Sequence, residues 1–245
     1  MRRSERPLTQ VPRPILLGFA IGLFLQILNH QNLDNKSDFN FKPLAEPHRA
    51  KIYEGMSMGS YQLFSYLLTM RLQLHDNQVG RHIPYNKINY SVLVEWLEML
   101  NALNADSEYP MMLASRVYSQ TRDKEQLRIL LTHIDRIFKS NPQIHWRRQA
   151  EATVIAKHQL GDKKLALHMA TSLKELPGFI EMPHWARDMQ FLLLADLNEY
   201  ESAIAIIQAL LQSGSISDPD ELRFLQEKLL SFQQKLSKSQ QIESQ

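Results

Sequence analysis

Apolar residues return every three or four positions along most of this chain, the spacing of one face of an α-helix. Leu63, Leu67, Met70 and Leu74 fall on one such face, as do Trp146, Ala150, Thr153 and Leu160. The same holds for Trp185, Met189, Leu192 and Leu193, and for Ala203, Ile207, Leu210 and Leu211. Leu222, Leu225, Leu229, Phe232 and Leu236, at spacings of 3, 4, 3 and 4, form a single-sided stripe suited to closing the end of a helical stack. No long alternating pattern of the β kind interrupts them. The punctuation agrees with the period. Glu46-Pro47, Asn141-Pro142, Met182-Pro183 and Asp218-Pro219 place proline at helix starts, where its missing N–H costs nothing. Gly161, Gly178 and Gly214 follow apolar-periodic segments, where a left-handed residue ends a helix. The expectation is an all-α domain of stacked helical hairpins over residues 47–236, with a polar, disordered tail at 237–245.

One segment has no period because it has no polar face. Ile15–Leu28 carries no charge and only Gln26 as a strongly polar interruption. Its 14 residues span roughly 21 Å as a helix, short of the ~30 Å hydrocarbon core. A signal peptide needs a small-x-small site just beyond the run, yet NHQNLDNK follows, and the only such pattern, Ala20-Ile21-Gly22, lies inside it. The reading is an uncleaved transmembrane signal anchor over 15–30, set against a cleaved signal peptide or a buried N-terminal helix of a soluble protein. Arg2, Arg3, Arg6 and Arg13 precede the run against Glu5 alone, whereas Asp34, Lys36, Asp38 and Lys42 nearly cancel after it. Basic residues stay on the cytoplasmic side, so the tail 1–14 is expected inside and the C-terminal domain outside. In a bacterium that means a single-pass inner-membrane protein with a periplasmic domain, joined to its anchor by a linker at 31–46.

Composition narrows the classes further. The 245 residues are 44% hydrophobic and 22% charged, the balance of an ordinary folded domain. Cysteine is absent, which removes disulfides, thiolate nucleophiles, thiolate zinc sites and iron–sulfur clusters together. The formal net charge is +2, but the basic tail accounts for the excess, leaving 24 basic against 25 acidic side chains in the remainder. Nucleic-acid binding therefore loses its electrostatic footing.

The chain also repeats itself. Setting Leu160–Leu173 on Leu197–Leu210 superimposes Leu160 on Leu197, Asp162 on Glu199, Ala166 on Ala203, Ala170 on Ile207 and Leu173 on Leu210, all 37 residues apart. Upstream, His145-Trp146 recurs as His184-Trp185 at an interval of 39, and residues 107–134 read as a weaker third copy. Gly161-Asp162 followed by Ala166, and Asn198-Glu199-Tyr200 followed by Ala203, resemble the tetratricopeptide-repeat family, with its tight turn and a small residue early in the second helix. The resemblance covers about 108–214 and implies a TPR-like α-α superhelix whose surface binds other proteins. The longer period, and Leu127 at the small position of the weakest copy, depart from the family's pattern.

A search for chemistry returns little. The nine histidines form neither H-x-x-x-H nor H-E-x-x-H, and no nucleophile elbow, Walker loop or dinucleotide fingerprint occurs. His158 follows Glu151 by two turns on the same face, enough for a loose pair but not a ligand set. No catalytic, metal-binding or cofactor-binding residue is assigned, and no small-molecule substrate is evident. The twin His-Trp dipeptides stand out: either Trp146 and Trp185 fill the core between repeats, or they line a groove with Arg147, Arg148 and Arg187 as anchors for a partner. The stretch Arg122–Arg148 holds seven basic against three acidic residues, a candidate surface for acidic partners or lipid headgroups. Residues 75–90 form a long connection in which Tyr85, Tyr90 and Arg81 line a site or a structural lid. The functional expectation is a membrane-anchored scaffold for protein–protein interaction in an envelope assembly or quality-control complex. The alternatives are a structural accessory subunit of a larger membrane complex and, further off, an all-α enzyme.

Overall fold

A computed structural model describes residues 12–34, 42–78, 81–176, 182–214, 216 and 218–243. It divides into two units, Met1–Lys42 and Pro43–Gln245. The first contains helix α1, Arg13–Asp34, longer at its end than the anchor expected at 15–30. Large apolar side chains point outward all round it, among them Ile15, Leu17, Phe19, Phe24 and Leu25. Among the described residues, however, no helix is long and apolar enough to cross a membrane. The physical reason is that the apolar run stops at Leu28, after which the polar Asn29, His30 and Gln31 continue the helix.

Among its described residues the second unit is all-α apart from one small hairpin. Its helices are α2 (Ala50–Met56), α3 (Tyr61–His75), α4 (Tyr90–Leu103), α5 (Tyr109–Arg116), α6 (Lys124–Ser140), α7 (Pro142–Ile155), α8 (Lys163–Lys174), α9 (His184–Asp196), α10 (Tyr200–Gln212) and α11 (Pro219–Glu243). Asn77–Gln78 and Arg81–His82 pair antiparallel between α3 and α4. Three of the four prolines act as their positions predict: Pro142 opens α7, Pro219 opens α11 and Pro183 sits at the N-cap of α9, whereas Pro47 lies in non-helical chain and α2 begins at Ala50. Gly161 takes φ +79° after α7 and Gly214 φ +63° after α10, conformations a Cβ disfavours; Gly178 lies outside the described residues. The last helix runs to Glu243 instead of ending at 236. The Ser237 and Ser239 hydroxyls bond back to the carbonyls of Gln233 and Leu236, so the polar end remains helical.

From α6 onward each helix packs on the next, while α4 also packs on α6 and α5 on α7. The tight Gly161-Asp162 turn reverses the chain, and Asp162 caps α8 by accepting from the Leu165 N–H at 2.9 Å. Ala166 and Ala203, one at the same place in α8 and one in α10, are fully buried. Phe191, Leu194, Ala203 and Ile207 form a core that Leu225 and Phe232 of α11 close. The interval of 37 residues thus relates α8 to α10.

The first helices of these hairpins obey a different interval. Arg148, Ala150, Thr153 and Ala156 are buried, as are Ala186, Asp188, Phe191 and Leu194, each 38 residues later. The extra residue is taken up at the end of α7, where Ala156–Leu160 forms a π turn. The His-Trp dipeptides, 39 apart, are therefore one residue out of structural register. A one-residue slip rotates a helical side chain by about 100°, and the outcome is visible: Trp146 is 5% exposed and Trp185 55%.

Helix α3 also turns its stripe the other way from the expectation of a core face. Leu63, Leu67, Met70 and Leu74 are between 39% and 63% exposed. The side packed on α4 holds Leu68 and Leu72 with Ser65 and Thr69, whose hydroxyl bonds the Ser65 carbonyl at 2.8 Å. Ser65 and Thr69 are buried beside the two leucines, and Thr69 satisfies its hydroxyl within the helix.

Candidate functional site

Helices α5, α7 and α9 each contribute to one hollow of about 690 Å³. Arg116 comes from α5, Trp146, Arg147, Arg148 and Glu151 from α7, and Met182, Pro183 and Trp185 from the entry to α9. Pro142 starts α7 directly after α6, which puts Trp146 one turn in. There its ring packs into a cluster with Phe138, Ala150, Leu173, Met182 and Ala186. The guanidinium of Arg147 lies over that indole, 4.6 Å from the ring centroid, a favourable cation–π placement.

The wall of the hollow is an ion-pair network. Arg148, 8% exposed at its side chain, donates from Nη1 to both carboxylate oxygens of Glu151 at 2.8 and 2.7 Å, and from Nη2 to Glu108 at 3.5 Å. Glu151 accepts in addition from the Ser115 hydroxyl at 2.7 Å and from Arg116 Nε and Nη2 at 2.9 and 2.6 Å, tying α5 to α7. Burial works against its charge, but the bonds from Arg116 and Ser115 and the charge of Arg148 outweigh burial and hold the carboxyl below its ordinary range. Behind the network His145 is fully buried with both ring nitrogens unbonded. Burial, with Arg148 adding and Glu108 opposing, depresses its pKa, so the imidazole is neutral at pH 7.

The hollow consequently joins a buried apolar part, Trp146 and Met182, to the exposed Pro183 and a cationic edge. Three guanidiniums face two carboxylates, Glu108 and Glu151, and the exposed Trp185 stands at the mouth. Such a surface accommodates an apolar side chain flanked by a carboxylate. Glu151, the one acidic residue lining it, is saturated by donors and held ionised. Comparison with protein-family models, curated proteins and solved structures finds no match.

The structure brings together four of the residues singled out in the sequence, Trp146, Arg147, Arg148 and Trp185, and leaves two elsewhere. Arg187 is not part of this lining. Tyr85 belongs to a separate hollow of about 340 Å³ beside Pro84, Asn86, Gln120, Thr121 and Arg122. Its ring meets Tyr118 edge-on, at 6.0 Å between centroids and 84° between planes. Burial, then the charge of Asp76, pushes its hydroxyl pKa up. Ile83 and Ile88, on either side of it, are buried, so this part of the long connection is pinned to the core.

The basic stretch Arg122–Arg148 is largely balanced by carboxylates, one within α6 and the others from neighbouring elements. Arg128 pairs with Asp162 at 2.5 Å, Arg136 with Glu98, Lys139 with Asp135 at 2.7 Å, and Arg147 and Arg148 with Glu108. Glu151, expected as a loose partner of His158, bonds Arg116, Ser115 and Arg148 instead, while His158 lies exposed in the π turn. Among the described residues no three His, Asp or Glu side chains form a group able to hold a metal. Arg116, Glu151, Met182 and Pro183 were missed by sequence reasoning. Only the Arg148–Glu151 spacing of three offered a signal, since i and i+3 are helical neighbours.

Proposed function

We propose that this chain is a tethered helical scaffold of the tetratricopeptide-like kind, whose hollow between α5, α7 and α9 holds an extended segment of another protein. The observation that carries the reading is the hollow itself: a buried apolar part at Trp146, a stacked Arg147 at its edge and an exposed Trp185 at its mouth. Trp and Arg are the side chains that dominate binding energy at protein interfaces. The 37-residue recurrence of α8 in α10, with buried alanine at each helix crossing, supports the repeat reading. The outward apolar side chains all round α1 support burial of residues 15–28 in a bilayer, locally thinned to match a run of roughly 21 Å. With the arginines of the tail on the cytoplasmic side, the helical unit lies in the periplasm of a bacterium, within an envelope assembly or quality-control complex. An accessory-subunit role in a larger membrane complex is the second reading, favoured by the same unpartnered surface of α1.

The test replaces Trp185 with Ala and Arg147 with Glu together, both outside the helix cores. The protein that co-purifies stoichiometrically with the wild-type chain after gentle detergent extraction is expected to be lost, with helix content unchanged by circular dichroism. Retention of that protein at full stoichiometry refutes the assignment of the hollow.

A further inference from the structure

In the helical unit, exposed apolar side chains gather on α3 and the turn before it. Around α3, Leu63, Tyr66, Leu67, Met70 and Leu74 occupy an arc of about 100°, opposite Leu68 and Leu72, which pack on α4. All five are exposed, and Met58, in the turn entering α3, is 95% exposed. Helix α2 adds Ile52 and Met56, also exposed. An apolar arc this wide is ordinarily the side a helix hides.

We infer that this face of α3, with Met58 and the outer side of α2, seats on an anionic lipid surface. The inference rests on the tether reading of α1. Two observations select lipid over other occupants. The first is charge: between Gly55 and His75 the one ionic side chain is Arg71, at the edge of the arc, and before it Lys42, Arg49 and Lys51 outnumber Glu46 and Glu54. Glu54 falls on the opposite side of α2 from Ile52 and Met56. A face free of carboxylates, flanked by Arg71 and carrying Tyr66, has the chemistry of an interfacial helix, in which tyrosine and basic groups sit at headgroup level. The second is chain length. Residues 35–42 alone separate α1 from the helical unit, a contour of at most about 30 Å, so a bilayer holding α1 is within reach of this face. An inserted α1 makes contact of this face with the bilayer an intramolecular event, so a weak second attachment suffices at the raised effective concentration.

The absence of cysteine makes the test clean, because one introduced cysteine is the only thiol. Full-length chains carrying L67C, M70C, F24C or, on α11, Q226C are labelled with an environment-sensitive fluorophore and reconstituted in vesicles of phosphatidylcholine and phosphatidylglycerol at three to one. A shallow nitroxide lipid is expected to quench the labels at 67 and 70 about threefold more than the label at 226, because an interfacial face lies roughly 5–10 Å into the headgroup boundary. Quenching at 24 with the labels at 67 and 70 open to iodide overturns the inference and leaves the tether standing. No lipid quenching at 24, 67 or 70 overturns both. Shielding of 67 and 70 from iodide without lipid quenching also overturns it. Disulfide capture between two unlabelled L67C chains would then assign the face to a second copy, and protection without vesicles to α1.

Discussion

Asp188 gives the sharpest quantitative test of the packing between α9 and α11. It is 6% exposed, and burial together with the charge of Glu221 raises its pKa from 3.8 to about 6, with His184 partly opposing. Glu221, whose carboxylate lies 2.8 Å from His184 Nδ1, is itself raised by burial, with His184 opposing and Asp218 adding. An acid whose folded pKa lies above its unfolded value binds more protons in the folded state, so stability falls as pH rises between the two values. The whole interval from 3.8 to about 6 corresponds to ~3 kcal/mol lost by pH 7, of which about 1 kcal/mol develops between pH 5 and 7. Asp188→Asn keeps the shape and removes the charge. Allowing for a buried amide in place of the acid, the variant should gain about 1–2 kcal/mol at pH 7, and its advantage should shrink toward pH 5. Urea unfolding followed by circular dichroism at pH 5, 6, 7 and 8 measures both quantities. The difference between variant and wild type isolates Asp188 from the carboxyls of Glu151 and Asp162, whose depressed pKa values give the opposite slope at lower pH. A variant less stable at pH 7, or a difference independent of pH, would refute the reasoning.

Ala166→Leu or Ala203→Leu should each destabilise by about 1–3 kcal/mol through overpacking where the helices of a hairpin cross; thermal melting reads this, and unchanged melting in both would count against equivalent crossings. Glu151→Ala leaves the nearly buried Arg148 without its main partner and should cost about 2–4 kcal/mol, whereas the double change Glu151→Met with Arg148→Met should cost clearly less. Equal losses in chemical denaturation would mean that the network contributes nothing beyond packing.

Local signals were legible wherever they acted within one turn or one hairpin. The Gly161-Asp162 turn, the caps, the prolines at 142 and 219 and the alanines at 166 and 203 all act through backbone geometry that sequence neighbours impose. Trp146, Trp185, Arg147 and Arg148 were recognisable as candidates because bulky aromatic and guanidinium groups clustered at helix starts. Glu151 and Arg116 were not, because what matters about them is a bond between two helices 35 residues apart. The twin His-Trp dipeptides misled for a related reason: a single residue absorbed in the π turn rotates Trp185 away from the place that Trp146 occupies.

Sequence by itself determined that the chain is helical, where α7, α9 and α11 begin, where α10 ends, and that the buried alanines of α8 and α10 lie 37 residues apart, since period, caps and turns are properties of contiguous residues. Which side of each helix became core was decided only in the tertiary structure. On α3 both sides offer leucine, and the choice fell to the side where Ser65 and Thr69 are buried beside Leu68 and Leu72. Burial is a relation between surfaces, and a helix cannot specify its partner's shape from its own stripe.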